Sequence, residues 1–383
     1  MSEIKVNSIK GVGASAAAIT VNNTDGTCTA NITSNGNNQL ANRNKIINGS
    51  MMIHQRGDAS ATGSAAYLSC DRFLTNNGSG AQVAVTKSTD TPDGFSASTK
   101  WDCTTADSSV AAGEYFIIQQ RIEGQNVQDF AKGTSSAKQF AVSFYIKATK
   151  TGVYTVELED VDNSRHCSKT ITVSDTNWNR YTLIYPADTT GAFNNDNGNS
   201  LSLNFWLIAG SNFTSGTLQS SAWGTGNTTR ASSSNVNGFD STSNDFLLTG
   251  VQLEVGSVAT DFEHKSFAQE LALCQRYFQQ YVNPCITGVI PDNGSKAYSL
   301  GLQFQTRMRA VPTLTIANAG TGGNVSDGQS TQTIASLNAA DRNVDGASIY
   351  LNLNGDLGDF RPACTGLNDS TTNTTTYSFT AEL

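Results

Sequence analysis

Hydrophobic and polar positions alternate with a period of two between Phe246 and Val255. One face of this segment carries Leu247, Thr249, Val251, Leu253 and Val255, and the opposite face becomes polar toward its end. Alternation of this kind predicts a β-strand whose second face turns polar toward its end. Gly256 follows directly and predicts the end of the strand.

A helical pattern comes next. Ser266 and Gln269 have the spacing of a capping box, which predicts a helix start. The following apolar residues recur at intervals of four, three, four and three: Phe267, Leu271, Cys274, Phe278 and Tyr281. This spacing predicts a linking helix over 264–283. Its stripe packs either against its own domain or against other copies around an axis. Burial of each large side chain contributes roughly 1.5–3 kcal/mol in both cases, so energy does not separate the two.

The remaining pattern is mainly β. Strands with polar turns between them are predicted before the helix at Gln82–Thr86, Tyr115–Ile122, Gln139–Ala148, Gly152–Asp160, Ser168–Val173, Arg180–Tyr185 and Leu201–Ile208. Many short strands with almost no helical period indicate an antiparallel β-sandwich or jelly roll over 45–263. Residues 284–383 contain further alternating segments and predict a smaller C-terminal β domain.

Residues 1–44 predict an arm. They contain short apolar segments on either side of an Asn-Thr-Asp-Gly sequence typical of a hairpin turn. So short an arm cannot bury a core alone. We therefore expect it to attach to a neighbouring copy or to another protein.

Composition and charge narrow the class of protein. Hydrophobic residues make up 38% and charged residues 15%, with 34 glycines and a net charge of −8. No basic run is present, which argues against nucleic acid as a partner. No apolar run is long enough to cross a membrane, and the first residues lack the apolar core of a signal peptide. The seven cysteines are scattered without a C-x-x-C pair, so we expect buried thiols formed in a reducing cytoplasm.

Candidate chemistry is sparse. None of the familiar nucleophile, zinc-protease or phosphate-loop motifs occurs, and the three histidines, His54, His166 and His264, are isolated from one another. Glu157 and Glu159 lie on one face of a predicted strand, as a glycosidase pair could. A half-solvated strand shows the same alternation. We predict no enzyme, no catalytic residue, no cofactor and no metal site.

Sugar recognition is the binding chemistry that the sequence favours over cleavage. It needs aromatic rings together with hydrogen-bonding side chains. Trp206 shares a strand face with polar residues, and Trp223 lies in a Ser/Gly/Thr-rich loop, so both are candidate ligand residues. An oligomer interface would account for either equally well. Trp178, within DTNWNRYTL, is predicted to be a core residue.

The segment GVQLEVGSVATDFEHKSFAQELALCQRYFQQY closely resembles a strand–helix junction of tail-fibre-like virion proteins of tailed bacteriophages, notably marine phages and cyanophages. The same proteins carry motifs matched here by KIINGSMMIHQRG and by DRF, in which Asn48, Gly49, Gln55, Arg56, Gly57, Asp71, Arg72 and Phe73 are kept. The block from Phe140 to Asp188 resembles jelly-roll carbohydrate-binding modules. Those modules often hold a structural calcium through an acidic last strand, but here that strand carries Thr249 and Gly250.

These resemblances imply a function. They imply a homotrimeric virion protein, made in the host cytoplasm, whose arm attaches to other virion proteins. Its role would be that of a tail fibre or receptor-binding protein that engages host surface glycans. A capsid decoration or head fibre without a receptor is the alternative, and a polysaccharide-degrading tailspike is a third possibility.

Overall fold

The computed structural model describes residues 42–62, 65–282, 284–290, 301–317, 324–327, 330–355, 357 and 376–383, together with five short strands outside these ranges. Three of those strands belong to the predicted arm: β1 (Ser8–Ile9), β2 (Ile19–Val21) and β3 (Cys28–Ala30). They form an antiparallel sheet in the order β1-β2-β3. The predicted hairpin turn between β2 and β3 lies outside the described residues.

The sandwich begins before the predicted boundary at Lys45. The carboxylate of Glu263 accepts hydrogen bonds from the backbone N–H groups of Asn42 and Asn44. The Asn44 side chain is buried, donates to Val251 O at 3.1 Å and accepts from Leu253 N at 3.1 Å. Residues 42–44 were assigned to the arm, but these bonds make them part of the sandwich.

Twelve strands build the sandwich, and eight of them match a predicted segment. Their bounds are β4 (Ala59–Thr62), β5 (Ala66–Tyr67), β6 (Leu74–Asn77), β7 (Gln82–Ser88), β8 (Ser98–Thr105), β9 (Tyr115–Glu123), β10 (Phe140–Ala148), β11 (Gly152–Asp160), β12 (Arg165–Val173), β13 (Asn179–Tyr185), β14 (Asn199–Ala209) and β15 (Asp245–Val255). A short helix, α1 (Ser211–Thr214), and three 3-10 turns, Gly124–Asn126, Gln128–Phe130 and Asn227–Thr229, lie in the connections.

The strands form two antiparallel sheets. Sheet I has the order β13-β10-β15-β8-β7-β4, and sheet II has the order β12-β11-β14-β9-β6-β5. One apolar core lies between them, and its rings cross from sheet to sheet: Phe144 on β10 meets Phe205 on β14 edge to face at 5.0 Å. The predicted antiparallel sandwich is therefore confirmed. β8, which places Trp101 in this core, was missing from the prediction.

The linking helix is shorter than predicted. Helix α2 (Phe267–Gln275) starts at Ser266 with the expected capping box. It ends at Gln275, and β16 (Phe278–Val282) follows. β16 pairs with a strand about a hundred residues further along the chain, which a local period cannot reveal. Aromatic residues also favour strands, so the Tyr-Phe-Gln-Gln-Tyr run suits this pairing.

The prediction that five apolar residues form one stripe on a single helix is therefore wrong. Phe267 is 58% exposed, Leu271 is half-buried and Cys274 is buried on the helix. Phe278 and Tyr281 lie on β16, where Phe278 is buried and Tyr281 is half-buried.

The Gln-Arg-Gly and Asp-Arg-Phe motifs bind the C-terminal part of the chain. Gln55 Nε2 donates to Phe278 O at 3.0 Å, and the Arg56 guanidinium lies 3.6 Å from the centre of the Phe278 ring. Arg56 and Arg72 both form ion pairs with Glu382. These motif residues therefore hold the sandwich against the end of the described chain.

A second set of contacts reinforces this junction. The buried Glu123 carboxylate at the end of β9 accepts from Arg276 Nε and Nη2, each at 2.8 Å, and from the Tyr277 hydroxyl. The Arg72 guanidinium lies 3.5 Å from the centre of the Tyr277 ring. These side chains join helix α2, β16 and sheet II.

The C-terminal β domain contains the remaining strands. They are β17 (Thr287–Val289), β18 (Lys296–Ser299), β19 (Leu302–Gln303), β20 (Thr313–Ala317), β21 (Asn324–Ser326), β22 (Thr331–Arg342), β23 (Gly346–Leu353), β24 (Pro362–Thr365) and β25 (Thr376–Thr380). β16, β25 and β20 form one sheet, and β18-β17-β24-β21-β22-β23-β19 form another. β18 also pairs with β23, so six strands close into a ring around a second core.

Candidate functional site

A groove lies on the outer face of sheet II, where strand periodicity turns alternate side chains away from the core. Outward residues of three neighbouring strands line up in three cross-strand rows: Ile117–Trp206–Thr155, Gln119–Asn204–Glu157 and Arg121–Ser202–Glu159. The cavity volume is about 340 Å³. That volume is at the lower end of the range typical of small-ligand sites.

The segment between β14 and β15 forms one wall of the groove. Ala231 N donates to Phe213 O at 3.0 Å, and Ser168 Oγ on β12 donates to Arg230 O at 2.6 Å. These bonds hold Phe213 and Arg230 over the sheet. The wall is thus held by one main-chain bond within itself and by one side-chain bond from β12.

One end of the groove is aromatic. Tyr115 and Phe213 are both half-buried, and their rings meet edge to face with centroids 5.7 Å apart. Phe213 also contacts Trp206, with centroids 5.1 Å apart. Ile117 lies beside Trp206 in this small cluster. The exposed parts of Tyr115 and Phe213 supply the apolar contacts that a bound molecule would meet.

The other end is polar and hydrogen-bonded from strand to strand. Arg121 Nε donates to Gln119 Oε1 at 2.8 Å, and Gln119 Nε2 donates to Asn204 Oδ1 at 2.7 Å. Asn204 Nδ2 in turn donates to Glu157 Oε2 at 2.9 Å and to Glu159 Oε2 at 3.1 Å. Such a network fixes the directions of its members before any ligand arrives.

Arg230 holds the two carboxylates. Its guanidinium binds Glu157 through Nε at 2.7 Å and Nη2 at 3.0 Å, and Nη2 lies 2.8 Å from Glu159 Oε2. Burial disfavours the Arg230 cation, but the neighbouring carboxylates outweigh this and raise its pKa. Burial, and then the charge of Glu157, raise the pKa of Glu159.

The structure places the two candidate tryptophans differently. Trp206 lines the groove, but it is 1% exposed and its indole N–H donates to Glu157 Oε2 at 3.0 Å. It supports the groove from below. Trp223 is 5% exposed within the main core, and its indole N–H donates to Pro186 O at 2.7 Å. The prediction of Trp223 as a ligand residue is therefore wrong, because an irregular loop gives no period that reveals burial.

Two other expectations also need correction. Trp178 is predicted to be a core residue, but it is half-buried and lies directly before β13, an edge strand of sheet I. Its indole N–H donates to Asp90 Oδ1 at 2.8 Å. The aromatic residues that reach the groove surface, Tyr115 and Phe213, were missed. Tyr115 could have been found, because it has the same strand parity as Gln119 and Arg121.

A larger cavity of about 470 Å³ lies in the C-terminal β domain, between Gly301–Gln303 and Asp341–Ser348. None of its described lining residues is aromatic, so we place the candidate site in the sandwich. Within the described ranges, no group of three or more His, Cys, Asp or Glu side chains is arranged to hold a metal ion. None of the helices described here has the length and apolarity needed to cross a membrane.

No protein-family model and no curated sequence matches this chain. Solved structures with a similar fold include an enzymatically active domain of bacteriophage CBA120 tailspike protein 4, which is 14% identical over 56% of this chain and 21% of its own, with a TM-score of 0.29. They also include a CBM4 carbohydrate-binding module, which is 13% identical over 54% of this chain and 97% of its own, with a TM-score of 0.30. The family 11 module of a Clostridium thermocellum cellulase is 12% identical over 53% of this chain and 97% of its own, with a TM-score of 0.27. The chain spans about a fifth of the tailspike chain. Because these TM-scores are low, the assignment of the sandwich depends on its own sheet topology.

Proposed function

We propose that this chain is a virion structural protein of a tailed phage, a tail fibre or receptor-binding protein that attaches to host surface glycans through the sheet II groove. One observation carries the binding part of this proposal. The half-buried rings of Tyr115 and Phe213 adjoin a preorganised row of amide, guanidinium and carboxylate groups. Sugars offer both an apolar C–H surface and hydroxyl groups, and this groove offers a partner for each.

The proposed groove binds sugar without cleaving it. Glycosidases need one carboxyl group free to protonate the leaving oxygen and another free to act on the opposite side. Glu157 is buried and bound by Arg230, Asn204 and Trp206, and Glu159 shares the same arginine. This arrangement supports a role for both carboxylates in orienting neighbouring donors.

Binding through such a groove is expected to be weak for one copy and strong for several. We propose a homotrimer, attached to other virion proteins through the arm before Asn42, so that several grooves act together on one cell surface. A sedimentation measurement on the full-length chain tests this part. Three times the chain mass of 40.5 kDa supports the trimer. A monomer overturns it and favours a decoration protein that takes its symmetry from the particle.

The binding proposal is tested by affinity electrophoresis against a panel of bacterial surface polysaccharides. Tyr115→Ala and Phe213→Ala each remove one apolar contact and are expected to weaken retention by about ten-fold. Phe267→Ala is the matched control, because Phe267 is 58% exposed on helix α2, outside the groove. Equal retention of all four proteins would refute a role for the groove, and no retention of the wild-type protein would refute glycan binding.

A further inference from the structure

The aromatic end of the groove has the shape of a notch. The ring planes of Tyr115 and Phe213 are inclined at 84°, and those of Trp206 and Phe213 at 51°. A pyranose ring stacks flat on a single aromatic face. Rings set nearly at right angles instead surround a compact apolar group on several sides.

The base of the notch offers little to a hydroxyl group. Ile117 and Trp206 lie there, and the indole N–H of Trp206 is already used by Glu157. Behind them Ala231 is fully buried. The polar groups at this end are the Tyr115 hydroxyl and the half-buried Asn76 on β6, which lies beside Ile117. A hydroxyl set over Trp206, two strands away from Asn76, would lose its hydrogen bonds to water without replacement, which disfavours its burial there.

From this geometry we propose that the groove selects a glycan that carries a methyl group on one of its sugar residues, with the methyl in the Tyr115–Phe213 notch. A 6-deoxyhexose supplies such a methyl directly, and an N-acetylhexosamine supplies it through its acetamido group. The hydroxyl groups of the adjoining sugar then lie over Gln119 and Arg121. This inference rests on the proposed glycan-binding function and names the class of sugar.

The size of the groove agrees with such a ligand. Tyr115 and Arg121 are six residues apart on β9, which corresponds to about 20 Å along an extended strand. A single sugar ring does not fill that length. The methyl-bearing residue therefore occupies one end of an oligosaccharide, and the polar rows contact the rest.

Matched sugars that differ at the methyl group test the inference directly. D-fucose and D-galactose differ only by a methyl against a hydroxymethyl group, and N-acetylglucosamine and N-formylglucosamine differ only by the methyl of the acetyl group. Saturation-transfer NMR on the wild-type protein is expected to show the strongest transfer at the methyl protons. Competition should favour the methyl-bearing member of one pair by about five-fold or more. The pair that shows this preference distinguishes the two sources of the methyl.

Three variants separate the methyl preference from glycan binding as such. Phe213→Ala opens the notch and should remove the preference. Arg121→Gln acts at the polar end, six residues from Tyr115 along β9 and beyond the reach of one sugar ring, so it should weaken retention on the polysaccharides while the preference within each pair remains. Phe267→Ala, outside the groove, should behave as the wild type.

Equal binding of both members of each pair by the wild-type protein would overturn the methyl inference and leave glycan binding intact. A preference that survives in Phe213→Ala would overturn the notch as its cause. Binding of none of these sugars, and of none of the polysaccharides, would refute the glycan-binding proposal itself.

Discussion

Lys132 is a buried cation whose removal should destabilise the sandwich strongly. Its side chain is fully buried, and its ammonium group contacts the carboxylates of Asp160 and Asp188. It also donates to Thr190 O at 2.9 Å and Gly191 O at 2.8 Å. One ammonium thus joins the segment around Lys132, the end of β11 and the loop after β13.

The magnitude follows from what remains after Lys132→Met. Methionine keeps most of the side-chain volume, so the main loss is the positive charge. Asp188 retains its ion pair with Arg165, whose Nε lies 2.9 Å from Asp188 Oδ2. Asp160 retains only hydrogen bonds from Asn163 among its described side-chain partners, and its side chain is fully buried. Breaking a buried pair in this way costs about 3–5 kcal/mol.

Tryptophan fluorescence provides the assay. All four tryptophans lie between Trp101 and Trp223, so their emission reports unfolding of the sandwich alone. The expected loss corresponds to a fall in Tm of roughly 6–20 °C for a domain of this size. Lys147→Met is the matched control. Its ammonium pairs with Asp90 at the surface, where removal should cost less than about 1 kcal/mol.

The double variant Lys132→Met/Asp160→Asn isolates the cause. Removing the negative charge as well should recover much of the lost stability, because no buried ion is then left unpaired. A free energy of unfolding of Lys132→Met within about 1 kcal/mol of the wild type would refute the argument from an uncompensated buried charge. A double variant that is no more stable than Lys132→Met would refute it as well.

Two further predictions concern Asp71 and Gly250. Burial raises the pKa of Asp71 from 3.8 to about 6, so the folded state binds more protons than the unfolded state between about pH 4 and pH 6. The folded state therefore loses up to roughly 3 kcal/mol of stability as the pH rises through that window. Urea unfolding of Asp71→Asn beside the wild type should show this slope in the wild type alone, and parallel slopes would contradict it. Gly250 has a φ of +61°, and an added Cβ would lie 2.7 Å from Phe95 and 2.8 Å from Tyr145. Gly250→Ala should therefore cost about 1–3 kcal/mol more than Gly57→Ala, where φ is +72° but nothing lies within 4 Å; equal losses would show that the rings move aside.

Most strands of the sandwich could be predicted because their signal is local. An alternation with period two, as in β7, depends only on which side chains of the strand face the core. In β15 a bulge next to Gly250 shifts the alternation, so Phe246 and Leu248 face the core together with Val251, Leu253 and Val255, and the predicted face with Leu247 and Thr249 is wrong. The capping box at Ser266 is equally local, and it marks the start of α2 correctly. The antiparallel sandwich and the smaller C-terminal β domain follow from such segments taken together.

The end of helix α2, the burial of Trp223 and the groove depend on contacts between residues that are distant in sequence. Phe278 and Tyr281 fit a helical spacing, but β25 draws them into a sheet, and no pattern within their own segment records that partner. Trp223 lies in a loop without a period, so its burial against Phe140 became visible only in the folded chain. The groove depends on the same kind of convergence, because Tyr115 and Phe213 come from different segments and adjoin polar rows that three strands share. Local alternation therefore determined the strands and the class of fold, whereas the site required the long-range register that only the tertiary structure supplies.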